Sequence, residues 1–142
     1  MAAQVEQMKP LPDLDDPVSA PFWREAAQGR LSFQRCSVCG YLRWPAASLC
    51  PECWSPRAEW APVSHDGEVW SFGVYERAFS AAFESDVPYV VALVQLDAGP
   101  RLIGKIVDVV PADVTVGMRV TAAFESFADD AALVNFRGLR SD

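Results

Sequence analysis

The apolar and polar positions of this chain change rhythm part-way along it. From Glu68 onward the period is two. Glu68 to Tyr75 alternates and predicts a strand with Trp70, Phe72 and Val74 on one face. Pro88 to Leu96 is an almost unbroken apolar run, as expected of a strand covered on both sides. Arg101 to Val110 reads as the next strand. From Gly117, Val120, Ala122 and Phe124 alternate with Arg119, Thr121, Ala123 and Glu125, and Leu133 to Phe136 makes a short last strand. His65-Asp66-Gly67, Asp97-Ala98-Gly99-Pro100 and Asp129-Asp130 supply turns between them.

Five short strands with little helix predict a small closed barrel over residues 58–142, and the count fits the oligonucleotide/oligosaccharide-binding (OB) type. The N-terminal part differs. Residues 1–18 hold three prolines and an acidic cluster, and read as a flexible arm. A short helix follows, with Ser19 as cap, Pro21 in the first turn and Gly29 at its end. Phe22 and Trp23 face different sides of so short a helix. With Arg24 and the later Trp44 they are candidate partner contacts, the alternative being that the aromatics pack into the domain. Arg30 to Arg35 alternates as a strand, and Tyr41 to Pro45 reads as a strand returning from it. The expected division is therefore an arm (1–18), a helix with a cysteine-bearing module (19–57) and a barrel (58–142).

All four cysteines lie in that middle module, as Cys36-Ser37-Val38-Cys39 and Cys50-Pro51-Glu52-Cys53. Two C-x-x-C pairs suit a closed tetrahedral site of four thiolates, the usual form of structural zinc; a single iron or a pair of disulfides are the alternatives. Gly40 after Cys39 suits the left-handed turn of a zinc knuckle. Trp54 holds the corresponding place after Cys53, so the second knuckle is expected to close differently. The predicted module is a zinc ribbon with too little apolar material to fold without metal.

Composition narrows the functional classes. The chain has 142 residues and a formal charge of −7, with Lys9 and Lys105 its only lysines. Net negative charge opposes nucleic-acid binding, although a zinc ribbon joined to an OB barrel keeps a single-stranded nucleic-acid module as the rival reading. An iron-loaded electron carrier is a third, and leaves the barrel unexplained. The cysteine-bearing segment is the one basic block, with Arg24, Arg30, Arg35, Arg43 and Arg57 against Glu25 and Glu52. No phosphate-binding or nucleophile motif occurs, the single histidine (His65) falls in a turn, and no catalytic residue is assigned. No apolar run reaches membrane-spanning length and no export signal begins the chain, so a cytoplasmic location is expected.

Several short stretches in this order are distinctive together: P-F-W (Pro21–Trp23), G-R-L (Gly29–Leu31), Q-R-C-S-V-C-G (Gln34–Gly40), C-P-E-C (Cys50–Cys53), P-Y-V-V-A-L-V (Pro88–Val94), G-P-R-L (Gly99–Leu102) and G-M-R-V (Gly117–Val120). Through them the chain resembles the "domain of unknown function 35" family, whose members join a rubredoxin-like zinc ribbon to an OB fold and are associated with acyl-CoA enzymes. The resemblance implies a non-catalytic subunit that pairs with a thiolase-fold enzyme, in some cases with an acyl-CoA hydratase, and helps to assemble it. It further implies that a CoA thioester is shared with the partner. Arginine forks match CoA phosphates, which makes Arg43, Arg77 and Arg101 candidate contacts, with Phe79 and Phe83 as candidate acyl-lining residues. Family members often carry a basic residue between the knuckles, where this chain has Pro45-Ala46-Ala47-Ser48.

Overall fold

The computed structural model describes residues 9–139. The first eight residues of the expected arm lie outside that range, as do the last three of the expected barrel segment. Among the described residues one α-helix, α1 (Ala20–Ala27), precedes eight strands. The first three are β1 (Ser32–Cys36), β2 (Leu42–Arg43) and β3 (Ala58–Pro62), which form a sheet in the order β2-β1-β3. The other five are β4 (Asp66–Tyr75), β5 (Tyr89–Leu96), β6 (Arg101–Val107), β7 (Arg119–Ala128) and β8 (Ala131–Gly138). They close a barrel in the order β4-β5-β6-β8-β7, with β6 and β8 parallel and every other pair antiparallel. The expected mainly β architecture, with one short N-terminal helix, a zinc-ribbon region and a five-stranded OB barrel, is what the chain adopts.

Helix α1 starts and ends by different means. Pro21 sits in the first turn, where its missing N–H costs nothing. Ser19 does not cap the helix as expected: its hydroxyl donates instead to Asp16 Oδ2 at 2.7 Å, and helps hold that carboxyl below its ordinary range. At the other end Gly29 takes φ 74°, and the Gly29 and Arg30 N–H groups return to the carbonyls of Ala26 and Glu25. This paired closure satisfies the last helical carbonyls. The helix buries Ala20, Phe22 and Ala26 and packs on β1 and β8, joining the ribbon to the barrel through one continuous core.

Strand β3 belongs to the ribbon, although the barrel segment was expected to begin at residue 58. It runs antiparallel to the whole of β1, from Cys36↔Ala58 to Ser32↔Pro62, and so occupies the β1 edge that the two-residue β2 leaves free. The arm is also tied down where it is described. Lys9 pairs with Asp86 at 2.5 Å and lies over the Phe83 ring, so its ammonium holds the Asp86 carboxyl below its ordinary range.

Inside the barrel Val69, Val90, Val94, Leu96, Val120 and Phe136 are fully buried. Gly104 is needed on β6, because a Cβ there would come within 2.7 Å of the Phe136 ring. Two expectations from alternation fail. A bulge between Val69 and Ser71 makes Trp70 the extra residue, so Val69, Phe72 and Val74 share the inward register and Trp70 leaves it. Strand β5 is not covered on both sides either: Val90, Ala92, Val94 and Leu96 are buried, whereas Val91 and Leu93 are only half-buried on the outer face.

Candidate metal centre and the aromatic cleft beside it

Two tight turns bring the thiols together. The Gly40 N–H bonds to the Cys36 carbonyl at 3.0 Å, and the Trp54 N–H bonds to the Cys50 carbonyl at 2.8 Å. Both turns end in a left-handed residue, Gly40 at φ 81° and Trp54 at φ 66°. The second knuckle therefore closes as the first does, contrary to expectation, with a tryptophan where glycine would be unstrained. Their sulfur atoms all lie within 4.8 Å of one another, with Cys36 Sγ 3.5 Å from Cys53 Sγ and Cys39 Sγ 3.6 Å from Cys50 Sγ.

That donor set fits a metal ion. Four sulfurs about 2.3 Å from a tetrahedral zinc stand about 3.8 Å apart, close to the observed cross-knuckle spacings. The backbone N–H groups of Val38 and Cys39 lie 3.4 and 3.5 Å from Cys36 Sγ. With Cys39 the larger influence, these donors pull the Cys36 thiol down to about 6. Cys53 is driven the other way, to about 12. The Ser55 N–H favours its thiolate, but the neighbouring Cys36 sulfur and burial outweigh that donor. Zinc bound by four thiolates carries a net charge of −2, and Arg35, whose Nη1 donates to the Gly40 carbonyl, places a cation at the first knuckle.

Arg43 shows how that block is built. It is only 3% exposed. Its Nε donates to Gln34 Oε1 at 3.0 Å and its Nη2 to the Ala47 carbonyl at 2.9 Å, while the Ala47 N–H donates to the same Gln34 oxygen at 2.8 Å. This closed ring fastens the loop between the knuckles to β1 and β2. The guanidinium proposed to meet CoA phosphates is thus turned inward to hold the loop. Gln34 carries no sequence signal for this role, because alternation alone does not say that both faces of β1 are buried.

A second feature lies between the helix, the ribbon and the barrel. Phe22, Trp23, Trp44, Leu93, Arg101 and Ile103 border a cleft of about 300 Å³. Phe22 is buried rather than presented, its ring 4.2 Å from Trp44 and 4.8 Å from Trp23. Trp23 and Trp44 remain half-buried at the rim. Arg101 stacks 4.1 Å over Trp70 and its Nε donates to Gln95 Oε1. Four expected site residues thus meet here, and the others lie elsewhere. Arg24 reaches Asp130 on a separate face. Arg77 lies 5.8 Å over Phe79 in the loop between β4 and β5, where Phe79 is 84% exposed. Phe83 packs on Tyr89 and closes the end of that hairpin. Trp70, Leu93 and Ile103 were missed, because only the barrel's register places them beside Arg101.

Residues 23–59 match the family model of the ChsH2 rubredoxin-like zinc ribbon domain, and residues 60–125 match that of the ChsH2 C-terminal OB-fold domain. Among curated relatives, a probable enoyl-CoA hydratase alpha subunit of Thermomonospora curvata is 38% identical over 82% of this chain; the chain spans only 36% of that protein's length. A DUF35 domain-containing scaffold protein of Methanocaldococcus jannaschii is 37% identical, with 68% of each chain covered. The benzoylsuccinyl-CoA thiolase subunit BbsA of Thauera aromatica is 37% identical over 51% of this chain and 53% of its own. Among solved structures, a chain of an Ltp2-ChsH2(DUF35) aldolase superposes with a TM-score of 0.79 at 33% identity, covering 92% of this chain and 98% of that one. The cysteine set falls within the first family model and barrel strands β4 to β6 within the second, and the chain belongs to the DUF35/ChsH2 family of zinc-ribbon and OB-fold proteins.

Proposed function

We propose that this chain is a non-catalytic zinc-binding subunit of a thiolase-fold enzyme acting on CoA thioesters, and that the partner's active site performs the chemistry. The observation that carries the reading is the near-complete correspondence with one chain of the Ltp2-ChsH2(DUF35) aldolase. Two relatives named as subunits of CoA enzymes, a hydratase and a thiolase, point the same way. In this reading the metal rigidifies the ribbon, the ribbon and α1 set the walls of the aromatic cleft, and the cleft faces the enzyme or the acyl chain of its substrate. Arg101 at the cleft, with Arg77 outside it, is the remaining candidate for CoA phosphate. Among the described residues no helix is long and apolar enough to cross a membrane.

The test is recovery of the tagged chain from its own host under gentle conditions, with mass spectrometry of what accompanies it. A thiolase-fold protein in stoichiometric amount is expected, with activity on CoA thioesters far higher for the pair than for either chain alone. An enzyme fully active and monodisperse without this chain would overturn the proposal.

A further inference from the structure

Strand β4 is a barrel strand for only part of its length. Its first residues pair with β7 at Asp66↔Thr121, Gly67↔Val120 and Glu68↔Arg119, and Val69 exchanges backbone hydrogen bonds with Met118 and Gly117. At Trp70 the bulge bends the strand away from β7. From Ser71 to Tyr75 it continues antiparallel to β5 on one side only. Among the described residues no strand pairs with the other side, so a row of backbone donors and acceptors is open there.

Natural edges are usually guarded by lysine, proline, an inward charge or brevity. Beyond the bulge at Trp70, itself a recognised edge device, this one has none of them. Trp70-Ser71-Phe72-Gly73-Val74-Tyr75 holds no charge and no proline, and Trp70, Phe72, Val74 and Tyr75 are all substantially exposed. Two strands away on β6, Ile103 is exposed as well, and Trp70 carries Arg101 of that same strand on its ring. Arg101, Leu93 and Ile103 line the aromatic cleft, so the cleft reaches the start of the edge at Trp70, while Phe72 and Val74 share the inward register on the opposite face of the strand.

Backbone chemistry says what kind of group covers such an edge, namely another extended strand. Charge says whose. A second copy laid on the same free edge would bring together two chains that each carry −7, with Glu76 at the end of the pairing in both. We infer that the free edge of β4, Trp70 to Tyr75, receives an extended apolar segment of the partner enzyme flanked by basic residues, which adds a strand to this sheet. The inference rests on the accessory-subunit reading and assigns that partner a specific docking edge.

The deciding experiment is hydrogen–deuterium exchange by mass spectrometry. It compares the isolated chain with its complex with the enzyme subunit recovered from the host, for wild type and for the double variant Phe72→Lys, Val74→Lys. Protection of about ten-fold or more over residues 70–75 is expected in the complex. The double variant should keep its zinc and its far-UV spectrum but bind at least about ten-fold more weakly. Should the variant fail to fold, the wild-type protection pattern still decides. A complex in which residues 70–75 exchange as in the free chain, or one that the folded double variant forms undiminished, overturns the docking edge and leaves the subunit reading standing. Concentration-dependent protection in the free chain overturns it in favour of a second copy. Failure to recover any enzyme overturns the subunit reading and this inference with it.

Discussion

The two knuckles of the ribbon have one backbone and two very different residues at its tightest point. Gly40 takes φ 81° with open space where a Cβ would project, so glycine is there for its backbone freedom alone. Trp54 takes φ 66° with its side chain 74% exposed, gaining little burial in return for a conformation that L-residues avoid. The knuckle geometry is therefore imposed by four sulfurs converging on one metal, and local preference yields to it. The contrast with the barrel is equally instructive. There ordinary burial holds the strands, and no single atom organises the fold.

The largest test of the knuckles' equivalence is removal of a ligand from each. Cys36→Ser and Cys53→Ser should both lose the metal and the order of the ribbon, because apparent zinc-binding energies of roughly 10–16 kcal/mol are folding energy in such modules. Metal analysis and near-UV dichroism of the Trp23–Trp44 cluster would record it. One variant retaining zinc while the other does not would break the equivalence. Next in size is the loop between the knuckles. Arg43→Met should cost about 2 kcal/mol in urea unfolding, since it strips the Ala47 carbonyl of its buried donor. It should also speed metal loss to a chelator by loosening the approach to Cys50.

A smaller effect comes from the strained turns themselves. Gly40→Ala should destabilise by about 1 kcal/mol, whereas Trp54→Gly should lie between neutral and about 1 kcal/mol stabilising, as relief of φ strain opposes the entropy of a new glycine. Thermal unfolding of the zinc-loaded protein separates them, and a clear loss from Trp54→Gly would mean that the indole packs on something in the folded chain. The smallest lies outside the ribbon altogether. Asp97 accepts two hydrogen bonds from Arg119, at 2.9 and 2.6 Å, which hold its carboxyl below the ordinary range. Because the folded value is lowered, the pair stabilises above the unfolded carboxylate range and its contribution disappears as pH falls through the folded value. Asp97→Asn should flatten that part of the acid stability profile slightly, and the difference should shrink in high salt; an unchanged profile would show the pair to be ornamental.

Much of this is legible in the sequence alone. The four cysteines could be read because ligand spacing is local, and Gly40 and the strands of the barrel because turn chemistry and period-two alternation are local too. The fate of Arg43, Phe22 and Trp54 was not. An arginine in a basic block looks solvated until β1, β2 and the loop after Trp44 enclose it. A helix aromatic looks like an anchor until Phe33 and Trp44 cover it.

The free end of β4 draws the same line. Its sequence announced a strand, but one bulge at Trp70 moved a tryptophan off the inward face and took the following residues away from β7. The chain's own order of residues determined that there would be a four-thiolate ribbon and a β barrel, since both depend on patterns a few residues long. Only tertiary structure decided which arginine is buried, which aromatics border a cleft and which strand edge is left unpaired. Those outcomes depend on the register and closure of segments far apart in the chain, and a short window of sequence holds no record of them.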